Sequence, residues 1–258
     1  MGGVIRVAVL GLLLCACGRI GFTTRGQDGG VDDPGDARAG DARTIDATVE
    51  PIHFIQTHAS LTANFPVLST TFDADITAGS TIIVGVDFDH SAAEPDVSVT
   101  DNAGRVYQAL IGPAATGSNS QSQYLFSAFA AAAGAGPTTI TATLTQSSNQ
   151  FFELKAFEYG GIAMAAPVDV TSASSGLGAA GTEVDAAPIV TTGTNEVILA
   201  LEVCDCNADG GPGMTVRSTF NTDVFEELLV PDPGSYVMKA VLQSAGHWRF
   251  VMAAFRGQ

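Results

Sequence analysis

Apolar and polar residues alternate along most of the chain after residue 50, and Gly, Pro and Asn interrupt the alternating runs. A period of two is typical of half-buried β-strands, and no window shows the 3.6-residue period of an amphipathic helix. Many short strands with regular turns are typical of sandwiches and barrels. The pattern therefore predicts an all-β domain over residues 51–258, a jelly-roll-like β-sandwich. The predicted strands are 52–58, 67–72, 81–88, 97–100, 106–111, 123–129, 138–145, 151–158, 184–191, 196–203, 214–218, 224–229, 236–242 and 247–255.

The two halves of this domain are similar to each other in sequence. Residues 82–88 match residues 197–203, and this alignment gives Asp87 and Glu202 equivalent outward positions. Two independent domains would explain this similarity, and so would one sandwich built from both halves. We favour the single sandwich because no segment of linker composition separates the halves. A second match pairs Leu144, Phe152, Leu154, Ala156 and Phe157 with Leu242, Phe250, Met252, Ala254 and Phe255.

Residues 1–16 have the three parts of an export signal: a positively charged start, an apolar run and small residues before the cleavage point. This order predicts a signal peptide, and its apolar run is too short to span a bilayer as a helix. The segment from Leu14 to Cys17 resembles a bacterial lipobox, which implies lipidation of Cys17. Gly18 after the cysteine then favours the outer membrane. The alternative is an ordinary signal peptide with incidental cysteines.

Residues 17–50 form a segment of different composition, in which Asp, Gly, Ala and Arg dominate. From Thr23 to Glu50 it contains no aromatic residue, and its apolar residues have no period. Such a segment buries too little apolar surface to offset its conformational entropy. It is therefore predicted to be a disordered acidic tether between the lipid and the sandwich.

The negative charge of the folded region limits the kinds of partner that the chain can bind. The folded region contains six Lys or Arg residues against twenty Asp or Glu residues, within a chain of formal net charge −16. A surface this acidic repels phosphate backbones, so we expect no nucleic acid partner. Divalent cations and neutral or basic ligands remain compatible with it.

One hairpin carries a family resemblance. Residues 99–107 read Val-Thr-Asp-Asn-Ala-Gly-Arg-Val-Tyr, and residues 157–160 read Phe-Glu-Tyr-Gly. Both resemble segments of extracellular β-sandwich domains in bacterial surface proteins, in which the hairpin reads V-T-D-x-x-G-N-x-Y. Arg105 stands where Asn is usual. The resemblance covers residues 52–161 and implies architecture and an extracellular location, without implying a chemistry.

A short acidic segment, residues 205–210, resembles the opening of a calcium loop because oxygen-bearing side chains alternate before a Gly. The Glu expected at its end is replaced by Val216, so other carboxylates would have to complete the shell. The alternative is an ordinary turn between strands, rich in residues that tolerate positive φ. The candidate calcium ligands are Asp205, Asn207, Asp209, Asp87, Asp89 and Glu202.

Cys204 and Cys206 are predicted to form a disulfide, since a turn brings such residues within reach in an oxidising compartment. A zinc site is the alternative and would need two further ligands. Tyr107 and Tyr124 are candidates for stacking on sugars, although Tyr in strands is ordinarily half-buried structure.

The chain lacks the common hydrolase and phosphate-binding motifs, so we do not expect an enzyme. The sequence thus favours a lipid-anchored cell-envelope protein, periplasmic or surface-exposed, that acts as a non-catalytic binding or adhesion module for glycan or protein. The alternatives are a purely structural surface protein and a glycan-active hydrolase.

Overall fold

The computed structural model describes residues 50–90, 94–115, 121–131, 133, 136–147 and 151–258. These residues belong to one compact unit. The predicted signal peptide, the predicted lipidation site Cys17 and nearly all of the predicted tether lie outside the described residues. Within the described part of the chain, no helix has the length and apolar character needed to cross a membrane.

Eight strands build the first half: β1 (His53–Thr62), β2 (Val67–Thr71), β3 (Ser80–Asp89), β4 (Val97–Asp101), β5 (Gln108–Ala115), β6 (Gln121–Ala131), β7 (Thr139–Leu144) and β8 (Phe152–Gly160). They form a five-stranded sheet in the order β1-β8-β3-β6-β5 and a three-stranded sheet in the order β2-β7-β4. Successive strands thus alternate between the sheets for most of the half. Neighbouring strands are antiparallel, and the order is jelly-roll-like, with β5 added to the larger sheet.

The second half repeats this arrangement with β9 (Val168–Gly178), β10 (Glu183–Asp185), β11 (Ile189–Val190), β12 (Glu196–Cys204), β13 (Ala208–Gly210), β14 (Thr215–Ser218), β15 (Val224–Val230), β16 (Ser235–Tyr236), β17 (Lys239–Leu242) and β18 (Gly246–Arg256). Its sheets have the orders β14-β15-β12-β18-β9 and β10-β17-β13, with β11 and β16 as a small added pair. A 3-10 turn, Phe220–Thr222, precedes β15. The predicted all-β sandwich with two similar halves is confirmed.

The core lies in three layers. One apolar cluster fills each half between its two sheets, and a third lies between the two five-stranded sheets. In this third layer the Phe157 and Phe225 rings stack with their centroids 3.5 Å apart. A Cβ atom on Gly85 would collide with Leu201 Cδ2, so the halves approach closely there.

The sequence favoured one sandwich built from both halves, and the strand order corrects this expectation. Each described sheet takes its strands from one half, so the chain forms two sandwiches packed through their larger sheets. The central strands β3, β8 and β12 are buried along nearly their whole length. Both faces of these strands therefore contact a core, which a single two-layered sandwich does not provide.

The predicted equivalence of Asp87 and Glu202 is also wrong, by one residue. Phe157 and Phe255 match in the repeat, and they pair with Ile83 and Val197 respectively. Asp87 therefore corresponds to Leu201. A one-residue slip reverses every side chain in a strand. Asp87 thus points toward the second half, while Glu202 lies on the same face of β12 as Ile198 and Ala200, which face the interior of their own half.

Candidate functional site

Five ionisable side chains are buried where the two larger sheets meet, and we call them the interface cluster: Asp87, Glu153, Lys155, Asp223 and Arg249. The first three come from the first half and the other two from the second. Lys155 Nζ lies 2.6 Å from Glu153 Oε2, 3.0 Å from Asp223 Oδ2 and 3.9 Å from Asp87 Oδ2. The Lys155–Asp223 pair therefore links the halves.

The interface cluster has the donor set of a cation site. Asp87, Glu153 and Asp223 each offer an oxygen atom within 4.8 Å of the others, a spacing that suits a metal ion. The Lys155 ammonium, however, lies within ion-pair distance of all three carboxylates. The protein thus supplies its own cation at this position.

Burial changes the acidity of these groups. It raises the pKa of Asp87 to about 7 and that of Glu153 to about 9, because a carboxylate loses its hydration between the sheets. Burial, with the negative charge of Asp223, raises the pKa of Glu202 to about 9 as well. Burial alone would lower the pKa of Lys155, but the surrounding carboxylates raise it above its usual value.

Further polar contacts connect the halves. The Tyr159 hydroxyl donates to Glu227 Oε2 at 2.7 Å, and Arg217 pairs with the same carboxylate. Gln123 Nε2 donates to the Leu201 carbonyl at 3.0 Å. Because these groups are mostly buried, their evident role is to join the halves.

The predicted calcium segment is held by contacts of its own. Asp205 Oδ1 accepts the backbone N–H of His247 at 2.6 Å, and Asp209 accepts a hydrogen bond from the Gln243 side chain. The Asn207 backbone N–H donates to a serine hydroxyl. Residues 208–210 continue as strand β13, paired with β17, so the segment does not close a loop around one point.

The remaining predicted ligands lie elsewhere. Asp87 belongs to the interface cluster, and Asp89 Oδ1 accepts the Phe151 N–H at 3.0 Å. Glu202 faces the interior of the second half, whereas Asp209 is exposed on the outer side of β13. The structure therefore does not bring the six predicted ligands together into one calcium site.

Cys204 and Cys206 are joined in a disulfide, with Cα atoms 4.9 Å apart. This bond closes the turn between β12 and β13, and it confirms the predicted pairing. Both sulfurs are used in this bond, so they do not form the alternative zinc site.

The hairpin that carries the resemblance is organised by Asp101. Its Oδ1 accepts the backbone N–H groups of Ala103 at 2.9 Å and Arg105 at 3.1 Å. Its Oδ2 accepts from the Arg105 guanidinium and the Tyr107 hydroxyl, both at 3.0 Å. Gly104 adopts a φ of +72°, which an L side chain rarely takes. The motif residues therefore stabilise a turn, and the Tyr107 hydroxyl is used in a hydrogen bond to Asp101 within it.

Tyr124, the other predicted ligand-binding residue, is half-buried on β6. Its ring packs beside Phe88 and Phe126, at centroid distances of 6.1 Å and 5.9 Å, and its hydroxyl donates to Glu94. These contacts are those of a core-edge aromatic residue.

The outer side of the sheet β2-β7-β4 presents a uniform chemistry that we did not predict. Its inward residues, such as Ile140 and Ala142, fill the core of the first half. Its outward positions carry hydroxyl groups and no charge, with Val67 as one apolar exception. We call this surface the hydroxyl face; its members are Val67, Ser69, Thr71, Ser98, Thr100, Thr139, Thr141 and Thr143.

The spacing between strands and the repeat along each strand place the hydroxyls in a regular array. Ser69 and Thr141 are joined through their hydroxyls at 2.8 Å, and Thr71 and Thr139 at 2.9 Å. Neighbouring strands lie about 4.8 Å apart, and outward residues recur about every 6.7 Å along a strand. The face therefore offers donors and acceptors at regular positions.

The repeat provides an internal comparison for this face. Leu144 matches Leu242, so the strand pairings place Lys239 where the first half has Thr141 and Asp185 where it has Ser69. Lys239 pairs with Asp185 at 3.0 Å and with Glu183. The same surface of the second half is thus charged.

Comparison of the chain with protein-family models, with curated proteins and with solved structures finds no match. Function is therefore inferred from the chemistry of the surfaces described above.

Proposed function

We propose that this chain is a lipid-anchored protein of the bacterial cell envelope whose folded part is a non-catalytic module that binds neutral glycan. The observation that carries this proposal is the hydroxyl face, an uncharged surface on a strongly acidic domain. The predicted signal peptide and lipidated Cys17 would place the module at the outer membrane.

The chemistry of the hydroxyl face fits a neutral sugar chain. Each Ser or Thr hydroxyl donates one hydrogen bond and accepts others, as sugar hydroxyls do. The threonine methyl groups offer apolar contact for the carbon faces of a sugar. Protein interfaces, by contrast, are enriched in Tyr, Trp, Phe, Met and Arg, which this surface lacks. A neutral glycan is therefore favoured over a protein partner.

Threonine is common on exposed strands because it favours β-structure. That preference does not account for the contrast between the halves. The second half folds in the same way with Glu183, Asp185 and Lys239 at positions where the first half carries Val67, Ser69 and Thr141. The fold therefore does not require an uncharged surface at these positions, and a ligand that needs one explains the difference.

Binding to insoluble cellulose and chitin tests this proposal, using the full chain carrying Cys17→Ser to prevent lipidation. We expect the chain to be depleted from solution, and Thr141→Lys to weaken binding about tenfold or more, equivalent to about 1.4 kcal/mol. Lysine should be tolerated by the fold because the second half carries Lys239 at the corresponding position.

The matched control is Val241→Lys, which adds the same charge to the corresponding strand of the second half. It should bind like the parent chain. Failure of the parent to bind either polysaccharide, or equal loss in both variants, would contradict the proposal.

The anchor is tested separately. We expect the mature chain to begin at a lipidated Cys17 and to enter the detergent phase on partitioning, because each buried methylene contributes about 0.8 kcal/mol. Mass spectrometry of the N-terminus and phase partitioning of the Cys17→Ser variant are the measurements. An unmodified mature chain that begins at another residue would disprove lipidation.

A further inference from the structure

A small pocket lies at the border between the two halves. Pro113 and Ala114 of β5 line it from the first half, and residues 173–175 of β9 together with Arg249 of β18 line it from the second. Its volume is about 250 Å³. This is below the range of about 300–1,000 Å³ that is usual for sites of drug-sized ligands. The pocket is thus suited to a small molecule or ion.

Arg249 is the notable group in this pocket. Only 2% of the residue is exposed, and its Nε and Nη2 atoms have no hydrogen-bond partner among the described residues. Buried guanidinium donors without partners are unfavourable, so such a group normally finds an acceptor. An acceptor in the pocket would therefore stabilise the folded protein.

Ser175 is placed to assist Arg249. The two residues are directly opposite each other in the β9–β18 pairing, so their side chains lie on the same face of the sheet. Neighbouring Ser174 points to the other face, where its hydroxyl accepts the Ala187 N–H at 2.9 Å. Ser175 is thus the serine able to act as a second donor beside the guanidinium.

Nearby carboxyl groups offset the burial of Arg249 only in part. Burial lowers the pKa of Arg249, although Asp87, Asp223, Glu202 and Asp205 oppose the shift. The nearby carboxylates therefore do not compensate fully for the lost hydration of the guanidinium. Glu153 and Asp223 also lie 2.6 Å and 3.0 Å from the Lys155 ammonium, which competes with Arg249 for them.

We propose that this pocket binds a small oxyanion, with the Arg249 guanidinium as the main donor and the Ser175 hydroxyl as the second. Arginine suits this role because its planar donors match the paired oxygens of carboxylate and phosphate. The site is separate from the hydroxyl face, so it does not depend on the proposed glycan binding.

Thermal unfolding of the full chain carrying Cys17→Ser tests the site. Sodium acetate and sodium phosphate would each replace chloride at constant ionic strength, to distinguish a carboxylate ligand from a phosphate ligand. A ligand that binds only the native state raises the melting temperature with the logarithm of its concentration above Kd. We expect such a rise with at least one of the two anions.

Two variants make the result specific. Ser175→Glu places a negative charge at an exposed position of the pocket, and Arg249→Gln removes the guanidinium; both should abolish the rise. Arg256→Gln, which removes an arginine that pairs with Asp169 outside the pocket, should retain it. Phosphate also stabilises proteins by exclusion from their surface, so the difference between parent and Ser175→Glu is the informative quantity.

No rise with either anion in the parent would overturn the proposal. An equal rise in the parent and in Ser175→Glu would overturn it as well. Because Ser175 is exposed, this second comparison remains valid even if Arg249→Gln fails to fold.

Discussion

The free energy of unfolding is expected to fall, by on the order of several kcal/mol, as the pH rises from about 5 to about 9. Burial raises the pKa of Asp87 and Glu226 to about 7 and that of Glu153 and Glu202 to about 9. In the unfolded chain the pKa of these carboxyls is about 4. The native state therefore holds more protons between these limits. Their stabilising contribution is complete below the unfolded pKa and is lost as the pH rises through the folded values.

Urea unfolding followed by circular dichroism at several pH values measures this effect. Glu202→Gln imitates the protonated carboxyl, so the variant should match the parent at acidic pH and be more stable than the parent at alkaline pH. Glu183→Gln, on the exposed outer surface of the second half, is the control and should leave the pH dependence unchanged. Stability that is constant or rises over this range would contradict the assignment.

Lys155→Met is expected to destabilise the protein by about 3–5 kcal/mol, the usual range for breaking a buried ion pair by removing one partner. The substitution leaves Asp87, Glu153 and Asp223 close together without the central ammonium. The loss should be larger at alkaline pH than at acidic pH, because protonation relieves the repulsion among these carboxyls. Urea unfolding at both pH values is the measurement.

Lys239→Met is the matched control for this prediction. Lys239 pairs with two carboxylates as well, but on the partly exposed outer surface of the second half. Exposed pairs contribute about 0–1 kcal/mol, so this variant should remain close to the parent. Equal effects at the two lysines would show that the interface cluster does not stabilise the junction of the halves.

Several features of the fold follow directly from the sequence. The alternation in residues 82–88 puts Val84 and Val86 on the face opposite to Asp87, and both residues do lie in the core of the first half. The matched residues from Leu144 to Phe157 and from Leu242 to Phe255 do occupy equivalent strands. The disulfide could also be predicted, since two cysteines near one turn in a chain that is predicted to be exported leave few other pairings.

Other features depend on packing that a linear pattern does not record. Lys155 lies in a predicted strand, but its position among three carboxyl groups depends on the contact between the larger sheets. The sequence does not show that contact. Strand β9 was not predicted, because its residues 168–178 are rich in Ser and Gly, which have weak β-propensity. It is held instead by pairing along β18.

The hydroxyl face had a recognisable signal, the Thr-x-Thr-x-Thr pattern of residues 139–143. A period of two places those hydroxyls on one side of a strand. Its extension across β2 and β4 depends on which strands flank β7, and sequence order alone does not reveal this. Likewise, the one-residue error between Asp87 and Glu202 arose because apolar residues fill both faces of β3 and β12. A run that is apolar on both faces fits either register.

The most direct test of the proposed glycan binding replaces three residues of the hydroxyl face with the residues found at the corresponding positions of the second half. Val67→Glu, Ser69→Asp and Thr141→Lys are combined in the full chain with Cys17→Ser, and binding to insoluble cellulose and chitin is measured beside the melting temperature. We expect the melting temperature to stay near that of the parent, while binding weakens about tenfold or more, by about 1.4 kcal/mol. Undiminished binding by this folded variant would contradict the hydroxyl face as the ligand surface.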